Sequence, residues 1–363
     1  MEKLGELEDP RQPSNGTRHD FGEILVIAVC AMLSDADSFE DIALWGRLKA
    51  DWLRRFLVLK NGIPSQDTFL RVFRVLDPKQ FEEVFRRWVG GIVGALDGVV
   101  AVDGKTLRRS ADGDAPPVHM VSAFSTELGL VLGQEKVAGK SNEITAIPEL
   151  LEALHIKGLL VSIDAVGCQR EIAARIAAKG ADYLLAVKGN QPSLHQQVRD
   201  LIIDARLAND GFKHSEKSHG RTVMQLSWVA ASGKHIDPER WPGCKTVGCV
   251  VSQRVVGNKV ADLEERYYIS SRELTAKELA RTVRAHWAIE NRLHWMLDVC
   301  FGEDDCMIRK DNAPQNLSLL KKIVLNLIRA DKTDNTKTSL RLKRKRAAWD
   351  DDIRMKMLGI HPL

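Results

Sequence analysis

Apolar residues return at three- and four-residue steps from residue 39 onward: Phe39, Ile42, Trp45, Leu48, Trp52, Leu53 and Phe56. This period predicts one amphipathic helical stripe. Asn61-Gly62-Ile63-Pro64 breaks it, and Ser65 is placed to cap a following helix that carries Phe69, Val72, Phe73 and Leu76. Asp77-Pro78 begins another, with Phe81, Val84, Phe85 and Trp88. Residues 1–20 are polar, contain Pro10, Pro13 and Gly16, and read as a flexible lead-in. Residues 21–94 then form an all-helical domain. Its helix-turn-helix spacing suits DNA binding, although an ordinary helical bundle is the simpler reading.

The period changes at Gly90-Gly91. Residues 98–103, 117–125 and 128–137 read as three successive strands, the last two joined by a turn near Glu127 and Gly129. A helix over 143–155, a strand over 158–164, a helix over 169–179 and a strand over 183–188 follow. Three strands and then alternating helix and strand make an α/β fold, a mixed sheet flanked by helices. Between 213 and 271 the pattern is β-like again, with strands expected over 221–231, 246–256 and 266–271 and turns at Gly233, Gly243 and Gly257-Asn258. His219-Gly220-Arg221 is a further, weak turn signal. Helical periodicity resumes from Thr275 to about Cys300 and again over 313–330. The organisation expected is therefore a catalytic domain over 95–330 with a β-rich insertion at about 213–271, and a basic tail over 331–363.

Composition narrows the classes. Hydrophobic residues make up 44% and charged residues 28%, the balance of a soluble globular chain. No run of 18 apolar residues and no secretory leader pattern is present, so a cytoplasmic location and no membrane partner are expected. Six cysteines, none at zinc-knuckle spacing, read as reduced core thiols. The net charge of +4 is small, but residues 331–346 hold seven Lys or Arg against Asp331 and Asp334. Such clustering suits a polyanionic partner and equally a solvated tail.

The chemistry is carried by acids. Asp103 closes the run Val99-Val100-Ala101-Val102, and Asp164 closes Leu160-Val161-Ser162-Ile163. A carboxylate at the end of a buried strand needs compensation, since even a neutral polar group left unpaired costs roughly 2–7 kcal/mol. Two such acids with a third, Glu290, on a later helix suit a pair of Mg²⁺ or Mn²⁺ ions and phosphodiester chemistry. Each acid alone has a plainer role: Asp103 before Gly104 can shape a turn, and Asp164 can cap a helix. His286, Glu290 and His294 fall four apart, which also admits a His-Glu-His zinc site, against which the hard acids at 103 and 164 argue. Lys105, Arg108, Arg109 and Lys188 are placed near strand ends as candidate phosphate contacts.

These residues resemble a known family. Asp103-Gly-Lys-Thr, Asp164-Ala with Gln169, Val187-Lys-Gly-Asn-Gln191 and the long run from His286 through Glu290-Asn291 to His294-Trp295 are similar to DDE transposases of bacterial insertion sequences. The H-repeat-associated branch is the nearest likeness, and Asp9-Pro-Arg11 matches its amino-terminal domain. The resemblance implies an RNase H-like core with a β insertion, Mg²⁺ dependence, and cut-and-paste chemistry on DNA by a homodimer. It assigns Asp103, Asp164 and Glu290 as catalytic metal ligands. It adds Asn190, His286, Asn291 and His294 to the expected substrate contacts. The wider superfamily's Tyr, Arg and Lys around the glutamate are here Val283, His286 and Leu297, so contacts to the terminal phosphate fall to Arg284, Arg292 or His286. An RNase H-like nuclease without strand transfer and an inactive DNA-binding relative are the alternatives; for the third acid, Glu303, Asp304 and Asp305 are the fallbacks.

Overall fold

The computed structural model describes residues 2–13, 17–93, 96–138, 142–218, 221–256, 259–331 and 338–360. Gly220 and the turn at Gly257-Asn258 lie outside the described residues. The helical segment comprises α1 (Phe21–Leu33), α2 (Phe39–Leu48), α3 (Ala50–Leu53), α4 (Gln66–Val75) and α5 (Pro78–Ile92). Side-chain caps start four of these five. Asp20 accepts the Glu23 N–H, Ser38 forms a capping box with Asp41, Ser65 accepts the Thr68 N–H, and Asp77 accepts the Lys79 N–H ahead of Pro78. The stripe from Phe39 to Phe56 is divided at Lys49 rather than continuous. That break lets Trp52 meet Trp45 at 6.0 Å and Phe56 at 4.9 Å, both edge-on.

The sheet begins with β1 (Val99–Thr106), β2 (His119–Ser125) and β3 (Leu130–Lys136), an antiparallel meander. Helix α6 (Glu143–Glu152) returns the chain to β4 (Leu160–Ile163), parallel to β1, and α7 (Arg170–Ala178) leads to β5 (Asp182–Val187), parallel to β4. The order β3-β2-β1-β4-β5 is that of an RNase H-like α/β fold. A helix with no counterpart in the sequence reading, α8 (Pro192–Ala208), follows; its buried face is narrow, resting on Leu194, Val198 and Ile202. The insertion strands β6 (Phe212–Ser218), β7 (Arg221–Ala231), β8 (Thr246–Val256), β9 (Lys259–Val260) and β10 (Glu264–Ser270) do not form a separate body. β10 pairs antiparallel with β5, so the insertion extends one ten-stranded sheet.

Helix α9 (Ala276–His286) passes through a π turn, Glu290–His294, into α10 (Trp295–Phe301). Helix α11 (Ala313–Ala330) is buried along most of its length and packs on α1, α4 and α5 as well as on β3. Its Asn326 exchanges two hydrogen bonds with the Val131 backbone (2.9 and 2.8 Å) and so closes the free edge of β3. Its Asn316 donates to the carbonyls of Phe73 and Leu76, both at 2.9 Å, ending α4. The helical segment and the sheet therefore share one hydrophobic core.

The expected basic tail is corrected by two helices, α12 (Leu340–Trp349) and α13 (Asp351–Leu358). Arg344 is 1% exposed: its guanidinium donates to the carbonyls of Met32, Ala36 and Cys300, pairs with Asp37 at 2.7 Å and stacks on Phe301. Arg354 is buried over Trp52, 4.0 Å from its ring. Two cations of the carboxyl-terminal region thus serve packing, while Lys332 and Lys337 lie outside the described residues. Lysine cannot reproduce the planar five-donor fork. Arg344→Lys is expected to lower the unfolding free energy by about 3 kcal/mol, with two or more charge-assisted hydrogen bonds lost; urea denaturation checks it. All six cysteines are free; Cys30, Cys168, Cys249 and Cys300 are buried, whereas Cys244 and Cys306 are partly exposed rather than core residues. Among the described residues no helix is long and apolar enough to cross a membrane.

Candidate metal centre

Parallel pairing sets Val102 beside Ile163, so Asp103 and Asp164 are the next residues on neighbouring strands. β1 continues past Asp103 along β2, whereas β4 stops and leaves Asp164 at the head of a loop. Asp164 Oδ1 accepts the N–H groups of Val166 (3.0 Å) and Gly167 (3.3 Å), which fixes that loop as an Asx-type turn. Asn190 Nδ2 donates to the Ala165 carbonyl at 2.7 Å, and Gln191 Nε2 to that of Cys168 at 3.0 Å. Asn190, expected on the substrate, is thus occupied in supporting the Asp164 loop.

Glu290 opens the π turn, whose i→i+5 bond runs from the Trp295 N–H to the Glu290 carbonyl. π turns inside helices are frequent at functional sites. This one follows a polar stretch whose period alone predicts a plain helix. His294 Nδ1 lies 3.3 Å from Glu290 Oε2 and 3.6 Å from Asp103 Oδ2. Asp103, Glu290 and His294 each present a ligand atom within 4.8 Å of the others. Asp164 falls outside that tight group, although its charge is felt at Asp103.

The electrostatics describe an unmet demand for positive charge. Burial first, then the carboxylates of Glu290 and Asp164, push the Asp103 carboxyl up to about 8. Burial raises Asp164 as well, and Glu143 adds to it. Glu290 moves the other way because His294 hydrogen-bonds it. Asp103 is the more enclosed partner, so it is the one that retains a proton when the two compete. Opposing carboxylates in a half-buried pocket, with an imidazole beside them, fit a divalent cation.

The expected cations have other duties. Lys105 is held by Asp298 and by Asp304 at 2.9 Å, with Glu303 3.8 Å away. Arg108 pairs with Asp304 at 3.1 Å and Arg109 with Asp305 at 3.6 Å. The fallback acids are thereby engaged in ion pairs, and Lys105, expected as a phosphate contact, stands as their partly buried counter-ion. His286 is 8% exposed, and burial lowers its imidazole to about 4, so it meets the Ser162 backbone as a neutral ring. This corrects both its expected substrate contact and the His-Glu-His zinc alternative. Arg292 donates to the Thr126 carbonyl, and Arg284 pairs with Glu216. Lys188 and Asn291 remain exposed.

The strand order β3-β2-β1-β4-β5, with one acid inside β1, one just past β4 and a third on a later helix, defines an RNase H-like α/β domain. Residues 94–327 match the family described as Transposase DDE domain, and residues 1–89 match the one described as DDE_Tnp_1-associated. The chain belongs to the DDE transposase family, whose members use divalent metal. It is 41% identical over 96% of its length to "Putative transposase YncI" of Escherichia coli O157:H7, covering 91% of that protein. It is 41% identical, again over 96% of its length, to "H repeat-associated putative transposase YhhI" of Escherichia coli K12, covering 95% of it. A piggyBac transposase synaptic complex with hairpin DNA aligns to 99% of this chain and 76% of that one at 12% identity and a TM-score of 0.46, too loose a likeness to bear on the argument.

Proposed function

We propose that the chain hydrolyses a phosphodiester at the ends of an insertion sequence to free a 3′-hydroxyl, and joins that hydroxyl to target DNA. The observation that carries this reading is that Asp103 and Asp164 directly follow the paired Val102 and Ile163 of two parallel strands, with Glu290 within ligand reach of Asp103 at the π turn. Asp103, Asp164 and Glu290 hold divalent ions, Mg²⁺ by the hardness of the oxygen donors, with Mn²⁺ as its substitute. When bound there, such ions would supply activation of the attacking oxygen and neutralisation of the charge that builds in the in-line displacement. His294 orients Glu290 toward Asp103. The loop amides fix Asp164, and Asn190 and Gln191 brace that loop. Lys188 and Asn291 are exposed and take the DNA backbone, and the exposed Arg108 and Arg109 join them by exchanging Asp304 and Asp305 for phosphate. Two chains pair the element ends, and the family likeness supports a cytoplasmic setting.

Glu290→Gln is expected to reduce Mg²⁺-dependent cleavage of end-containing DNA by at least about a hundredfold, the scale on which one charged transition-state group acts. A rate within a few-fold of wild type would move the third-ligand role elsewhere. Incubating pre-cut ends with supercoiled plasmid then separates a transposase from a nuclease, because only the former yields joined product.

A further inference from the structure

Holding Glu290 accounts for only part of how His294 is placed. The residue closes the π turn and is 5% exposed, whereas Trp295 beside it is 54% exposed. Its Nε2 is buried with no hydrogen-bond partner, so the polar contacts of the ring are those of Nδ1. That atom stands between two carboxylates, 3.3 Å from Glu290 Oε2 and 3.6 Å from Asp103 Oδ2. A charge-assisted N–H···O bond is about 2.7–2.9 Å long. The ring nitrogen therefore bonds neither acid closely, and an orienting role explains the Glu290 contact but not the Asp103 one.

These spacings suit ligands of one ion better than partners in a hydrogen bond. Donors at about 2.0–2.1 Å from an octahedral ion are about 3 Å apart when adjacent and about 4 Å when opposite. One donor atom each from Asp103, Glu290 and His294 lie within 4.8 Å of one another, and the two distances from Nδ1 are those of slightly opened neighbours. Strand β1 supplies the first donor, and the π turn supplies the other two from positions four apart, which face one way. Among the described residues this is the one such group, and it contains an imidazole. Carboxylates alone suit Mg²⁺ and Mn²⁺ alike, whereas an imidazole favours a transition ion.

We infer that His294 Nδ1 is a direct nitrogen ligand of the cation held by Asp103 and Glu290, a mixed site that takes Mn²⁺ in preference to the Mg²⁺ that oxygen donors alone would select. The inference rests on the metal reading of the site and goes beyond it. As a ligand, Nδ1 gives its lone pair to the ion and the ring keeps its proton on Nε2. Pulsed electron paramagnetic resonance of Mn²⁺ on the full-length protein, with calorimetric titrations of Mn²⁺ and of Mg²⁺, tests it without DNA or turnover. The wild-type Mn²⁺ spectrum should show coupling to a directly bound imidazole nitrogen, and His294→Gln should lose it. The same variant should lower the ratio of Mn²⁺ to Mg²⁺ affinity by at least about tenfold, since changing even an outer-shell partner of a ligand costs about 10–100-fold. Glu290→Gln should weaken both ions and keep the nitrogen coupling at saturating Mn²⁺. If His294 only orients Glu290, the wild-type spectrum lacks that coupling and His294→Gln weakens both ions by one factor; either result overturns the inference. The wild-type spectrum needs no substitution, so a variant that fails to fold leaves the test intact. Failure of the metal reading has its own signature: the wild type takes up neither ion, or Asp103→Asn takes up both as the wild type does, and the inference then falls with it.

Discussion

Asp103→Asn leaves end-binding within a few-fold of wild type and reduces Mg²⁺-dependent cleavage by about a thousandfold or more. The size follows from position. Asp103 is the acid shared by the whole cluster: it borders His294 at 3.6 Å, competes with Glu290 for a proton and feels Asp164. Metal-borne stabilisation of a phosphoryl transition state is worth several kcal/mol, and each 1.36 kcal/mol is about tenfold in rate. The same substitution is expected to raise the metal-free melting temperature, because it removes a buried carboxyl that its neighbours repel. Gel-shift binding, end-cleavage kinetics and a thermal melt, read together, check it. Wild-type cleavage by Asp103→Asn would end the assignment, whatever the melt shows.

The residues that made this site legible were those whose role depends on strand position alone. Asp103 and Asp164 end apolar runs, and a parallel pair of such runs puts their ends together. The cap at Ser65 and the helix start at Asp77-Pro78 were legible for a similar reason, since both are local signals. What could not be read depends on contacts far apart in sequence. Lys105 looks like a phosphate ligand until Asp298 and Asp304 arrive from α10 and the turn after it. His286 looks like a surface histidine on a helical face until β4 covers it. Arg344 shows the same limit in reverse: a run of cations reads as a solvated tail unless the carbonyls of Met32, Ala36 and Cys300 are known to converge on it. The π turn escaped because a one-residue insertion barely disturbs an apolar period, although the Glu290-x-x-x-His294 spacing was visible.

Lys322→Met is expected to produce the largest loss of stability, and the loss should grow with pH. Lys322 is 2% exposed and donates to Gln134 Oε1 at 2.6 Å and to Ser318 Oγ at 3.1 Å. Gln134 and Gln315 donate in turn to Glu82 of α5, at 3.1 and 3.0 Å, and Ser318 donates to Glu303 at 2.9 Å. One buried ammonium thus offsets two buried acids and ties α5, β3 and α11 to the Lys105 cluster beside the metal centre. Burial lowers Lys322 to about 8 and raises Glu82 to about 7. For Glu82 the folded value lies above the unfolded one, so its contribution is present below about pH 4.5 and lost as pH rises through about 7. Removing Lys322 raises Glu82 further and prolongs that loss to higher pH. Removing the ammonium leaves the acids that it reaches through Gln134 and Ser318 less compensated, a loss on the scale of a buried ion pair that loses one partner, about 3–5 kcal/mol. That penalty is expected at pH 8, and it should shrink toward pH 5 as Glu82 takes up its proton. Adding Glu82→Gln and Glu303→Gln to Lys322→Met should recover most of it, since the orphaned charges are then gone. Urea titrations at pH 5 and pH 8 decide the matter: a loss independent of pH, or one that the added substitutions leave in place, would mean that packing of the lysine stem and not its charge holds these helices to the sheet.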